Sequence, residues 1–98
     1  MTELITRLEA LTGPDREVDL HMMRYVENIG GDPAKALHYT ASLDAAMTLV
    51  PEGCDKWAVS GRNAATVGKD RQPIRWSYAA TPAIALCIAA LKARNNHD

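Results

Sequence analysis

The sequence predicts an α+β fold in which a three-stranded antiparallel sheet packs with helices in the order α-α-α-β-β-β-α. Three observations predict it. Apolar residues recur with a helical period as far as Pro51, alternate singly between Lys56 and Tyr78, and turn helical again after Pro82. Glycine and proline stand where the period changes, at Gly13-Pro14, Gly30-Gly31, Pro51 with Gly53, and Pro82. With 98 residues, of which 47 % are hydrophobic, the chain has enough apolar surface for one core, so a single domain over residues 1–98 is expected.

The first helix rests on Leu4, Leu8 and Leu11, spaced i, i+4, i+7, with Ile5 widening the stripe and Thr2 as its cap. Gly13 ends it. Pro14 suits the first turn of the next helix, and Asp15 and Glu17 favour that helix's positive end. The second helix should run over residues 14–29 with Val18, Met22, Tyr25 and Ile29 on its apolar face, completing a helical hairpin over residues 1–29. Residues 30–41 hold two glycines and a proline without a sustained period, which reads as a loop with a short extended piece over residues 37–40. In the third helix Ser42 is the cap, Asp44 sits in the first turn, and Leu43, Ala46, Met47 and Val50 form the stripe before Pro51 stops it.

Residues 42–94 carry that helix together with three strands and a last helix. Trp57 and Val59 alternate with Lys56, Ala58 and Ser60 in the first strand. Gly61, Arg62 and Asn63 turn into a short second strand over residues 64–67, and residues 68–73 (GKDRQP) form a polar hairpin loop. Ile74, Trp76 and Tyr78 alternate with Arg75, Ser77 and Ala79 in the third. Thr81 and Pro82 open the last helix as cap and first-turn residue, and Lys92 and Arg94 complement its C-terminal dipole. Ile84, Leu86, Cys87, Ile88 and Leu91 cover most of its circumference, so it should be buried. Its alanines, Ala83, Ala85, Ala89, Ala90 and Ala93, allow close approach to a sheet or another helix. Residues 95–98 are a polar tail.

Eleven Lys and Arg against twelve Asp and Glu leave a net charge of −1, which excludes wholesale polyanion binding of the kind a strongly basic protein shows. The charge is nonetheless divided. Up to Asp55 ten acids face four bases, a net of −6; from Lys56 onward seven bases face two acids, a net of +5. The acidic share belongs to the helices and most of the basic share to the strands and their turns. A locally basic sheet opposite an acidic helical layer suits partner recognition, and head-to-tail self-association into a homo-oligomer is equally open.

No reaction motif is present. His21, His38 and His97 sit in a helix, a loop and a tail with no metal-ligand spacing, and His21 and His38 read as solvent-exposed. Cys54 lies beside Glu52 and Asp55, which disfavour a thiolate, and Cys87 occupies an apolar helix face where a thiol behaves as a small hydrophobe. Asp15, Glu17 and Asp19 read as a solvated first helical turn rather than an acid–base pair. The segment Gly30-Gly31-Asp32-Pro33 lacks the glycine spacing and lysine of a phosphate loop and reads as a helix stop. The expectation is therefore a non-enzyme without metal or cofactor.

One cluster remains: Lys56, Arg62, Lys69, Arg71 and Arg75 within twenty residues, interleaved with Trp57, Trp76 and Tyr78. Guanidinium forks and aromatic faces are what a nucleotide or single-stranded nucleic acid needs, through phosphate pairing and base stacking. Alternation favours a core use for the three rings, with Lys56 and Arg75 on the other face; stacking on a ligand is the open alternative. The five bases are the candidate ligand- or partner-binding residues in either case.

Three segments together, LTGPDREVD (residues 11–19), YTASLDAAMTLVPEG (residues 39–53) and ATPAIALCIAALKAR (residues 80–94), resemble the phage ABA sandwich domain family of small tailed-phage and prophage proteins. The resemblance implies an α/β sandwich and a phage origin. The chain departs from the usual pattern over residues 20–38 and carries Cys54 where an aromatic often follows Pro-Glu-Gly. The order α-β-β-β-α is also similar to a double-stranded RNA-binding domain, but Thr81, Pro82, Ala83 and Ile84 stand where that domain places bases.

Size, the resemblance and the missing catalytic spacings together lead to a functional expectation. It is a non-enzymatic phage factor for host takeover or counter-defence, inhibiting a bacterial immune component by docking on a host protein or by sequestering a small anionic nucleotide. A nucleic-acid-binding accessory protein and a virion structural or assembly protein are the alternatives. The N-terminus MTELITRLEA has two acids and no apolar block, and the most apolar stretch, residues 79–91, contains Pro82 and falls short of the roughly 20 residues that span a bilayer, so the bacterial host cytoplasm, with free thiols and no membrane partner, is the expected location.

Overall fold

The computed structural model describes residues 2–27, 38–50, 54, 56–68 and 76–95. Helix α1 (Thr2–Ala10) is followed by α2 (Arg16–Glu27) and a short α3 (Leu43–Met47). Strands β1 (Lys56–Ser60), β2 (Ala64–Gly68) and β3 (Ser77–Tyr78) precede α4 (Pro82–Asn95). The sheet order is β1-β2-β3, both pairs antiparallel, so the chain is α+β with the predicted element order.

Helix α4 is the centre of the molecule. It packs against all three strands on one side and against α1 and α3 on the other, while α1 and α2 pack on each other. Every side chain from Ala83 to Leu91 is buried, as a helix enclosed by two layers requires. The layers are thus sheet, α4 and remaining helices. Leu4, Leu8, Val18, Met22, Tyr39, Ala46, Leu49 and Ala65 complete the hydrophobic core around it. Thr81 caps α4 by accepting the Ile84 N–H on its Oγ1 at 3.2 Å.

The helical layer departs from expectation in three places. Thr2 is the first residue of α1 rather than a residue before it, and α2 starts at Arg16 because Asp15 is its cap: Asp15 Oδ1 accepts the N–H of Glu17 at 2.9 Å and of Val18 at 3.3 Å. Residues 38–41 are a turn rather than an extended piece, with the His38 carbonyl accepting the N–H of both Ala41 and Ser42. Ser42 does cap α3, accepting the Ala45 N–H. Ala46 is buried and Met47 and Val50 pack on the core as expected, whereas Leu43 is exposed and Leu49, just beyond the helix, is buried. The i→i−3 bonds from Thr48, Leu49 and Val50 tighten the chain after the helix, where Leu49 joins the core. The end of the second predicted helix and residues 28–37 lie outside the described residues.

The β1–β2 turn, Gly61-Arg62-Asn63, depends on Asn63, whose φ of 59° is left-handed. Asparagine tolerates this conformation better than most residues. Its side-chain Nδ2 donates to the Ala80 carbonyl at 3.1 Å and its carbonyl accepts the Ala79 N–H, so the turn also holds the end of β3. Asn63→Ala is expected to lower stability by about 1–2 kcal/mol, and Asn63→Gly by less than about 0.5 kcal/mol, in urea unfolding. Equal losses would show that the side-chain bond, rather than the backbone, dominates at this site.

Candidate functional site

The strand register decides which side chains share a face. Val59 pairs with Ala65 and Ala65 with Ser77, and this row faces α4: Ala65 and Ser77 are buried, and Val59 packs on the core. The neighbouring row, Ser60 with Ala64 and Ala64 with Tyr78, therefore points away from α4, as do Lys56, Ala58 and Thr66, although Ala64 and Thr66 are themselves buried. Trp76 and Tyr78 flank the buried Ser77 and lie on this outer side, 43 % and 68 % exposed. Trp57 falls on the α4 side by alternation, but at the end of β1, where it is 50 % exposed.

The core role expected for these rings is thus corrected, and so is their common face. The reason is steric. An alanine-rich α4 brings its backbone close to the sheet, and small residues, Ala65 and Ser77, fill the interface; the large rings of β3 are left on the far side. Lys56, expected across the sheet from the rings, shares the outer face with Trp76 and Tyr78. Trp76 and Lys56 are two strands and two rows apart, roughly 12 Å between Cα atoms.

Of the five candidate bases, Lys56 opens β1 at one end of the outer face, and Arg62 is exposed in the turn at the other, beyond the Tyr78 row. Lys69, Arg71 and Arg75 lie outside the described residues. Among the described residues of 56–68 and 76–81 there is no Asp or Glu, whereas Glu3, Glu9, Asp15, Glu17, Asp19 and Asp44 all belong to the helical half. The described part of the sheet therefore carries exposed bases and rings, Lys56, Arg62, Trp76 and Tyr78, around a buried middle at Ala64 and Thr66.

No family model, curated protein or solved structure matches this chain.

The other candidates fall into structural roles. Asp19, expected in a solvated turn, is 1 % exposed: its Oδ1 accepts both the N–H and the Oγ1–H of Thr40 at 2.9 Å, and Arg16 reaches Oδ2 at 3.4 Å. Thr40 Oγ1 also accepts the Asp15 N–H at 2.8 Å, so the start of α2 and the turn at residues 38–41 form one polar knot. His21 is half-buried rather than exposed, with Arg7 Nη1 3.1 Å from its Nδ1. His38 is exposed as expected. Among the described residues no group of three or more His, Cys, Asp or Glu could hold a metal ion, and no helix is long and apolar enough to cross a membrane.

Cys54 and Cys87 are both free and buried. Cys87 Sγ donates to the Tyr39 carbonyl at 3.2 Å, and burial, reinforced by the nearby Asp19 charge, pushes its thiol far up from its ordinary value. Such a thiol is a poor nucleophile. Its linkage has a definite sign: the folded chain keeps the proton that the unfolded chain loses above about pH 8.5, so stability declines above that pH, by about 1.4 kcal/mol per unit. The difference between wild type and Cys87→Ala, followed by urea unfolding from pH 7 to 10, should isolate this slope. A pH-independent difference would contradict it.

Proposed function

We propose that this chain is a non-enzymatic phage protein that acts by binding, as a host-takeover or counter-defence factor that inhibits a bacterial immune component. The phage attribution is supported by the resemblance carried by residues 11–19, 39–53 and 80–94. Binding is supported by one observation above all: Trp76 and Tyr78 stand exposed on the sheet face away from the core. Exposed rings beside cations stack planar ligands and pair with phosphates. Of the two inhibitory modes, docking on the host protein or sequestering its signalling nucleotide, this surface chemistry favours the nucleotide. The protein then works by removing a small anionic signal, without chemical turnover.

Purified protein mixed with cyclic and ADP-ribose-type nucleotides, and separately with candidate immune effectors, should show a thermal shift or co-elution with at least one. Neither response from any of them overturns the proposal. Arg62 at an exposed hairpin tip and Lys56 on the same sheet support a second reading, a nucleic-acid-binding accessory protein. In that case affinity for single-stranded DNA falls steeply with salt, and Arg62→Glu weakens it; salt-independent or absent binding excludes it.

A further inference from the structure

We propose that the free edge of β1 pairs with the same edge of a second copy of this chain, forming a twofold dimer whose axis passes beside Ala58. The bonding of β2 fixes which backbone groups are available for this. The Ala79 N–H donates to the Asn63 carbonyl at 3.1 Å, so by alternation Asn63, Ala65 and Val67 turn their backbone groups toward β3, and Ala64, Thr66 and Gly68 turn theirs toward β1. Their partners in β1 are Ser60, Ala58 and Lys56. Trp57 and Val59 therefore direct their N–H and C=O groups away from the sheet, and among the described residues no strand pairs with that edge.

The edge fits its own copy. An antiparallel pair centred on Ala58 sets Trp57 opposite the partner subunit's Val59, and Val59 opposite the partner subunit's Trp57, so all of β1 is paired and both outward-bonding residues are satisfied. An axis one residue to either side leaves one of the two opposite a residue outside β1. The side chains agree with this register. Trp57, Val59 and Val67 share the α4 side, yet Trp57 is 50 % exposed and the two valines are only half-buried, because α4 runs chiefly under β2. The twofold joins two such apolar strips and lays each indole across from a valine, an aromatic and β-branched pairing that favours sheet contacts. One patch meeting itself is what a twofold interface requires. The charges agree too: KWAVS holds no acid and one cation, and antiparallel pairing sets the two Lys56 residues at opposite ends, roughly 14 Å apart, where a parallel partner would set them side by side. The strand also lacks the proline, bulge or inward-pointing charge with which isolated edges resist pairing.

Ala58→Cys tests the axis. Opposed residues of a non-hydrogen-bonded antiparallel pair have Cα atoms about 4.5 Å apart, within disulfide reach, and the Ala58 side chain points away from α4, so a thiol fits there. On air oxidation this variant should run as a covalent dimer on a non-reducing gel. Wild type, whose two cysteines are buried, should not, nor should Ser60→Cys, whose two copies stand roughly 14 Å apart. In sedimentation velocity the wild-type chain should approach twice the mass of one chain as concentration rises, and Trp57→Lys should weaken that association about tenfold or more. The Trp57 and Val59 amides should exchange with solvent about tenfold or more slowly in the dimer than on dilution. A wild-type chain that stays monomeric, with those amides exchanging at one rate at every dilution, overturns the proposal without any variant having to fold. A dimer that Trp57→Lys leaves intact, or that cross-links through Ser60→Cys and not Ala58→Cys, assigns self-association to another surface or register and overturns it as well. A monomer that protects both amides only on addition of an extended peptide gives the edge to a foreign strand instead. Trp76 and Tyr78 lie at the opposite side of the sheet from this edge, so each of these outcomes leaves the nucleotide reading standing.

Discussion

Asp19→Ala is expected to destabilise the protein by about 3 kcal/mol, the loss of two hydrogen bonds to a charged acceptor worth about 1.5–3 kcal/mol each. The substitution leaves the Thr40 N–H without its partner in a place where Thr40 is fully buried. A buried donor without an acceptor is itself costly. Arg16, the ionic partner, is 44 % exposed in its side chain, so the ion pair contributes little and Arg16→Ala should cost less than about 1 kcal/mol. At this chain length 3 kcal/mol corresponds to a Tm lower by about 12–24 °C. Guanidinium unfolding with an unchanged m-value would confirm that the folded state alone is affected. Equal losses for the two variants would mean that the salt bridge, and not the Thr40 contacts, stabilises the knot.

Leu86→Ala is expected to cost about 2–5 kcal/mol, because Leu86 is fully buried in α4 and the cavity left there is bounded by two layers that cannot both collapse into it. Tyr78→Ser removes a larger side chain, yet should change stability by less than about 0.5 kcal/mol, since most of that ring already faces water. The contrast tests the assignment of faces. If Tyr78→Ser rivals Leu86→Ala in a thermal melt, the ring belongs to a core and the outer face is not open.

Much of the fold is legible in residue spacing. The all-apolar circumference of residues 82–91 signals a helix enclosed on every side, Thr81 and Ser42 signal their caps, and the switch to alternation at Lys56 locates the first two strands. Three features are hidden for separate reasons. Asp19 reads as a solvated acid because its partner, Thr40, is 21 residues away and no local pattern connects them. The stripe of α3 holds at Ala46, Met47 and Val50 but loses Leu43 and gains Leu49, because the chain after this five-residue helix closes in i→i−3 bonds. The rings of β3 are assigned to the wrong face because alternation tells which residues share a side, not which side is inward. The alanines of α4 held the missing signal: a helix that approaches closely demands small residues opposite, and Ser77, not Trp76 or Tyr78, meets that demand. Two members of the basic cluster, Lys56 and Arg62, are thereby placed around the rings.

Because α4 fills the space between the sheet and the other helices, biosynthesis reaches the keystone last. The hairpin of α1 and α2, the turn at Thr40 and the three strands must all emerge from the ribosome before residues 82–95 exist to bury their apolar sides, and contacts between α1 and α4 span most of the chain. Long-range closure of this kind slows folding relative to a bundle built from neighbours. The nascent chain therefore leaves those apolar sides open to chaperones and proteases until α4 has emerged, and folding of residues 2–95 should be nearly all-or-none from that point.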